Sequence, residues 1–295
     1  MLSSEQIGAR NSECDWIGGH EFVTAQSETR RLTRILITIK TYPIPSDTYD
    51  ELVCTAGVTA EGDFIRLYPI NFRDLDDYQQ YKKYQWIEVE VEKHGKKDKR
   101  KESYRPVGEI ELVGHPIKST PGNWKERSKY VLPKQANSIE DLKERQEHDR
   151  TSLGIFKPNA VHDLVISPDD PDWKPQYLAA LRQSRLWETR KASLRPLRKV
   201  PFKFHYTFDC DDEQCTGHRM SIHDWEVGAL FWGCVDRGDM HREAAEKVKH
   251  KFLTDICGPD KDTYFFVGTV HGHPRSWIVL GTFYPKAGPT QLELI

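Results

Sequence analysis

Apolar and polar residues alternate at every second position in several parts of this chain, and this limits the fold more than any other feature. In Trp86-Ile87-Glu88-Val89-Glu90-Val91-Glu92, Ile87, Val89 and Val91 point one way and the glutamates the other. That is a strand with one buried and one solvated face. Ile35, Ile37 and Ile39 repeat the pattern nearer the start, and Phe202, Phe204, Tyr206 and Phe208 alternate with Lys203, His205 and Thr207. Residues 51–59 and 63–70 are β-rich and separated by Ala60-Glu61-Gly62, whose glycine supplies the positive φ of a hairpin turn. A further strand is expected over 108–113.

Helical spacing is rarer. Ile222, Trp225, Ala229 and Trp232 recur at intervals of three and four after Ser221-Ile222-His223-Asp224, a capping-box pattern that makes Ser221 the expected cap. A second helix is expected over 241–256, with Ala244, Ala245, Val248, Phe252 and Ile256 on one stripe and Gly258-Pro259 ending it. Ser138-Ile139-Glu140-Asp141 opens a third, running to about residue 150. Residues 121–133 read as loop, 161–167 as a short strand and 174–192 as helical in composition. Strands over 264–270 and 277–284 follow.

This order gives an α+β protein rather than a doubly wound parallel sheet. A loose leader is expected over 1–31 and a small β-rich domain, barrel-like or an open sheet, over 32–118. A connecting region with helices over 119–198 and an α+β domain with a zinc-type turn over 199–295 complete the chain. A length of 295 residues suits one large domain or two ordinary ones.

The cysteine turn is the strongest chemical signal. Cys210-Asp211-Asp212-Glu213-Gln214-Cys215-Thr216-Gly217-His218 lies between an amphipathic strand and a helix. Zinc takes four tetrahedral nitrogen or sulfur ligands from short loops, and Cys210, Cys215 and His218 supply three. His223 is the nearest candidate for the fourth; His205, Cys234 and Cys257 are more distant ones. A structural ion is the expected role. The six cysteines form no disulfide framework, and the first thirty residues hold no apolar segment of a secretory signal, so a reducing cytoplasm is expected. No run approaches the ~20 apolar residues of a membrane span.

The net charge of -2 gives no global field for polyanions, so any such attraction must be local. Lysines and arginines interleave with aromatics from Tyr81 to Arg105, a pairing that neutralises phosphates and stacks on bases. The expected contacts are Lys82, Lys83, Tyr84, Lys96, Lys97, Arg100 and Arg105. Arg66 and Tyr68 join them on the accessible face of their strand, with Arg73 beyond. A second basic stretch runs from Arg182 to Lys203.

These patterns point to a nucleic-acid-binding protein with a structural zinc. The alternative is a metal-dependent, nuclease-like hydrolase using Asp224, Glu226 and His271 or His273 near the cysteine turn. No P-loop, G-x-G-x-x-G, H-E-x-x-H or G-x-S-x-G motif occurs, nor the paired-cysteine spacing of the zinc deaminases, which argues against Walker-type hydrolysis, dinucleotide redox chemistry, zincin proteolysis and base deamination.

Overall fold

The computed structural model describes residues 30–45, 51–93, 98–119, 123–177 and 196–288. It is a two-domain α+β fold. The first part contains β1 (Arg30–Lys40), β2 (Ile44–Pro45), β3 (Glu51–Leu52), β4 (Thr55–Val58), β5 (Phe64–Leu67), β6 (Trp86–Lys93) and β7 (Ser103–Val113). Five of them close into a barrel in the order β1-β4-β5-β7-β6, antiparallel except for β5 and β7. Renumbered within the barrel the order is 1-2-3-5-4, the arrangement of an OB-type barrel. Ile35, Ile37, Ile65, Leu67, Ile87, Val89 and Val91 fill its interior, and Phe72 and Tyr81 from the β5–β6 connection pack against them.

The alternation of the isoleucines in β1 breaks where the sequence gives no warning. A bulge between Ile37 and Ile39 inserts one residue into the pairing with β4, and an extra residue reverses the face on which later side chains fall. Ile39 therefore joins Leu36, Ala56 and Val58 on the outside of the barrel.

That outside is itself a core. The second part consists of α1 (Asn123–Val131), α2 (Ile139–Asp149), β8 (Leu153–Phe156), β9 (Pro158–Pro168), β10 (Phe202–Cys210), β11 (His218–Ser221), α3 (Trp225–Val235), α4 (His241–Lys249), β12 (Tyr264–Val270) and β13 (His273–Phe283), with a π-helical segment His250–Asp255 continuing α4. β8, β12 and β13 form one sheet and β9, β10 and β11 another. Leu153, Ile155, Phe266, Leu280 and Phe283 pack onto the barrel residues just named. A separate core joins Phe204, Tyr206 and Phe208 of β10 to Phe231, Val248, Phe252 and Phe265. Each such side chain contributes roughly 1.5–3 kcal/mol of apolar burial.

Three expectations need correction here. Residues 123–131 are helical, not loop; the segment has only Trp124, Tyr130 and Val131 as apolar residues, too few to show a stripe. Ser221 is the last residue of β11, paired with His205; the cap of α3 is Asp224, whose Oδ1 accepts from the Glu226 backbone N–H at 3.0 Å. Arg66 does sit opposite the interior-facing pair Ile65 and Leu67, but β8 covers that side. Arg66 is 1% exposed and donates to Ser152 Oγ at 2.9 Å, to the Ser152 carbonyl at 3.0 Å and to Ser103 Oγ at 3.3 Å. Most of the 174–192 stretch lies outside the described residues. Among those described, no helix is long and apolar enough to cross a membrane.

Candidate metal centre and cationic cleft

β10 ends at Cys210 and β11 begins at His218, with His218 opposite Phe208 in the ladder. The seven residues between them return the chain through a tight loop in which Gly217 adopts φ +86°, a left-handed conformation that glycine takes without strain. Asp212 holds this loop: its Oδ1 accepts from Gln214 N–H at 2.9 Å and its carbonyl from Cys215 N–H at 3.0 Å. The Cys210 and Cys215 sulfurs each lie 3.4 Å from His218 Nε2. At ordinary Zn–S and Zn–N bond lengths, two ligands of a tetrahedral zinc stand about 3.5 Å apart. Cys210, Cys215 and His218 could therefore hold a metal ion without rearrangement. Their ligand atoms all lie within 4.8 Å of one another. The Cys210 backbone N–H points at Cys215 Sγ from 3.3 Å, a contact suited to a sulfur that carries negative charge.

A fourth group reaches the same place from a distant part of the chain. The sequence predicts the Ser138 cap correctly: Ser138 Oγ accepts from Asp141 N–H at 3.0 Å, and α2 follows. The same hydroxyl contacts Asp212 Oδ2 at 3.2 Å, docking the start of α2 on the cysteine loop. Glu140, two residues on, brings Oε2 to 2.7 Å from Cys210 Sγ and Oε1 to 3.1 Å from His218 Nε2. Lys143 Nζ holds the carboxylate at 3.2 Å. Nothing in the sequence ties Glu140 to cysteines seventy positions later; only its place in the first turn of a capped helix was legible.

The electrostatics follow. Burial, then the Glu140 carboxylate and the Cys215 sulfur, push the Cys210 thiol up. Burial pushes the His218 imidazole down, leaving it neutral with a lone pair available at pH 7. Glu140 is partly buried, yet Cys210 and Lys143 hold its carboxyl below the usual range.

His223 is not part of this group. It follows His218 by five residues of largely extended chain, about 16 Å at ~3.3 Å per residue. It stands instead in a cleft with His205, Ser221 and Trp173, where Ser221 Oγ lies 3.0 Å from its Nε2. His223 is exposed in that cleft. The other candidates are elsewhere too: Cys234 is buried on α3 against Arg237, and Cys257 donates to the Phe252 carbonyl at 3.3 Å. The acids of the hydrolase alternative also point away. Asp224 is bound by Lys83 Nζ at 2.6 and 2.8 Å, with Glu226 3.5 Å from the same ammonium. His271 and His273 lie at the β12–β13 turn. Among the described residues, Cys210, Cys215 and His218 are the one group of three ligating side chains close enough to share an ion.

The basic-aromatic residues divide. Tyr84 is 6% exposed, packed beneath Arg127, whose guanidinium lies 3.7 Å from its ring centroid. Lys83 is held by Asp224. Arg100 binds Asp98 and donates to the Thr269 carbonyl at 3.0 Å, and Arg73 pairs with Glu51 at 2.7 Å. Tyr68 is half-buried. Lys82 and Arg105 are exposed, Arg105 bridging to Glu92. Lys96 and Lys97 lie outside the described residues, as does most of the second basic stretch.

A different set of cations converges. A cleft of about 600 Å³ opens where the barrel meets α2, lined by Arg31, Arg34, Lys101, Lys134 and Arg145 together with Phe64 and Tyr104. Glu61, Asp63 and Glu102 also line it. Lys134 pairs with Asp63, Lys101 with Asp149 and Arg145 with Asp141. Arg31 and Arg34 lean on aromatic rings, 5.1 Å from the Tyr104 centroid and 5.3 Å from Trp86, and Arg34 also stands 3.9 Å from Glu88. The sequence singles out neither, because they sit at the exposed start of β1, where the apolar pattern has not begun.

Among curated proteins, none matches this chain. A solved structure of a murine DNA-binding protein bound to double-stranded DNA is similar at 10% identity, over 88% of this chain and 98% of that one, with a TM-score of 0.27. Residues 31–133 match a second family, described as domain of unknown function (DUF8758). With residues 134–295 matched, the chain belongs to the family described as domain of unknown function (DUF8757).

Proposed function

We propose that the protein binds nucleic acid through the cleft between the barrel and α2, and that a structural zinc staples the cysteine loop of its second domain. The observation that carries the reading is the pair Arg31 and Arg34, each set over an aromatic ring, in a cleft that Lys101, Lys134 and Arg145 also line. Guanidinium groups on rings neutralise phosphate while leaving aromatic surface for bases. The barrel type is consistent with this, since OB-type barrels often bind oligonucleotides. Topology alone does not assign a function, however. The outer face of β4 and β5, which such barrels commonly present to a ligand, is here packed under β8 and β12. The cleft lies beside it, between the barrel and α2.

Zinc suits the donor set: two thiols and an imidazole are soft to borderline ligands at tetrahedral spacing. The hydrolase alternative has no comparable support, because its acids are bound to Lys83.

The test is fluorescence anisotropy with labelled single- and double-stranded oligonucleotides at low salt. The wild type is expected to bind, and the Arg31→Ala/Arg34→Ala variant to bind at least ~10-fold more weakly. No binding by the wild type at low salt would remove the reading.

A further inference from the structure

We infer that Glu140 is the fourth ligand of the metal, so that the ion joins the first turn of α2 to the β10–β11 loop through two thiolates, one imidazole and one carboxylate. The inference rests on the zinc reading above and deepens it. What decides it is the nitrogen that the carboxylate faces. A carboxylate that merely orients a metal-bound histidine contacts the ring nitrogen that does not hold the metal. Glu140 Oε1 instead lies 3.1 Å from His218 Nε2, the same nitrogen that stands 3.4 Å from both sulfurs. The other carboxylate oxygen is 2.7 Å from Cys210 Sγ. The carboxylate thus stands against two of the three ligating atoms, Cys210 Sγ and His218 Nε2, on the side of the imidazole that faces the sulfurs.

The carboxylate is held by the Cys210 thiol at Oε2 and by Lys143 at Oε1, and a divalent cation would take the place of the thiol proton between sulfur and carboxylate. Expected ligand separations support the position: an imidazole nitrogen and a carboxylate oxygen on one tetrahedral zinc stand about 3.4 Å apart, close to the 3.1 Å seen here. Glu140 is also held in place before any ion arrives, by the Ser138 cap behind it and by Lys143 one turn on.

Metal binding replaces protons. Each thiol that becomes a ligand releases its proton to solvent.

The experiment uses the full chain, metal content by elemental analysis and Co2+ substitution followed by absorption spectroscopy. The wild type is expected to hold one equivalent of zinc and, with cobalt, to show intense tetrahedral d–d bands and thiolate-to-cobalt charge transfer. Glu140→Ala should lose affinity by more than ~100-fold, beyond the 10–100-fold typical of a supporting partner. Because that change also loosens the start of α2, Glu140→Cys decides the matter. If position 140 ligates, this variant regains metal and its charge-transfer intensity rises by about half, as two thiolates become three. The proposal is overturned if Glu140→Ala keeps its metal with less than ~10-fold loss and an unchanged cobalt spectrum, or if Glu140→Cys shows only the two-thiolate intensity. A wild type that takes up neither zinc nor cobalt overturns the zinc reading itself, a distinct result.

Discussion

Lys82 and Lys83 are neighbours of one type in one basic run, and the fold gives them opposite fates. Lys82 is exposed. The Lys83 side chain is 13% exposed and faces an Asp224 carboxylate that is fully buried. Burial alone would lower its pKa, but Asp224 and Glu226 outweigh it and hold the ammonium charged. Removing one partner of a buried pair strands the other charge, typically at a cost of about 3–5 kcal/mol. Lys83→Ala is therefore expected to lower the free energy of unfolding by about that much in urea titration, and Lys82→Ala by no more than ~0.5 kcal/mol. Equal effects would contradict the assignment. Charge and spacing make a lysine legible in a sequence; its partner 141 positions away is not. The same holds for Arg66. Its alternation with Ile65 and Leu67 was correct, but the sheet that buries it comes from Ser152 and beyond.

At the level of elements, the readable features were those whose cause is local. The Ser138 cap opens α2 as its motif predicts, β6 and β10 start and end within a few residues of their alternating patterns, and β12 coincides with its apolar run. What failed had non-local causes. The β1 bulge is set by pairing with β4, and the Asp224 cap by the continuation of β11 through Ser221. α2 shows how one element joins the two sites, since Glu140 faces the cysteine loop while Arg145 lines the cleft. Ser138→Ala removes both the cap and the contact to Asp212, so its expected cost is about 1–2 kcal/mol, at the upper end for a helix cap. Ser138→Thr should recover most of it. A thermal or urea midpoint unchanged by Ser138→Ala would mean that the cap does not fix α2.

As a whole, the molecule is two domains sharing a core, with Leu36, Ile39, Ala56 and Val58 of the barrel under Leu153, Phe266 and Leu280. A polar clasp adds to it: Arg100 binds Asp98 within the β6–β7 connection and reaches across to the Thr269 carbonyl of β12. Although burial opposes ionisation of Asp98, the hydrogen bonds and charge of Arg100 hold its carboxyl well below the usual carboxylate range. Its folded pKa is depressed, so its contribution is fully present above the unfolded value of ~3.9 and is lost as pH falls below it. Asp98→Asn should thus be less stable than the wild type by a constant margin from pH 7 to 5, and the margin should narrow below about pH 4. A margin that stays constant to pH 2 would contradict the clasp.

The central claim, that a cationic cleft binds a polyanion, is tested most directly by the salt dependence of that binding. Each phosphate neutralised contributes roughly -0.9 to the slope of log affinity against log salt on duplex DNA, or -0.7 on single strands. Affinity is expected to fall linearly with salt on these axes, with a slope shallower by about 1.4–1.8 when Arg31 and Arg34 are both alanine. A wild type whose binding is insensitive to salt, or two proteins with the same slope, would contradict it.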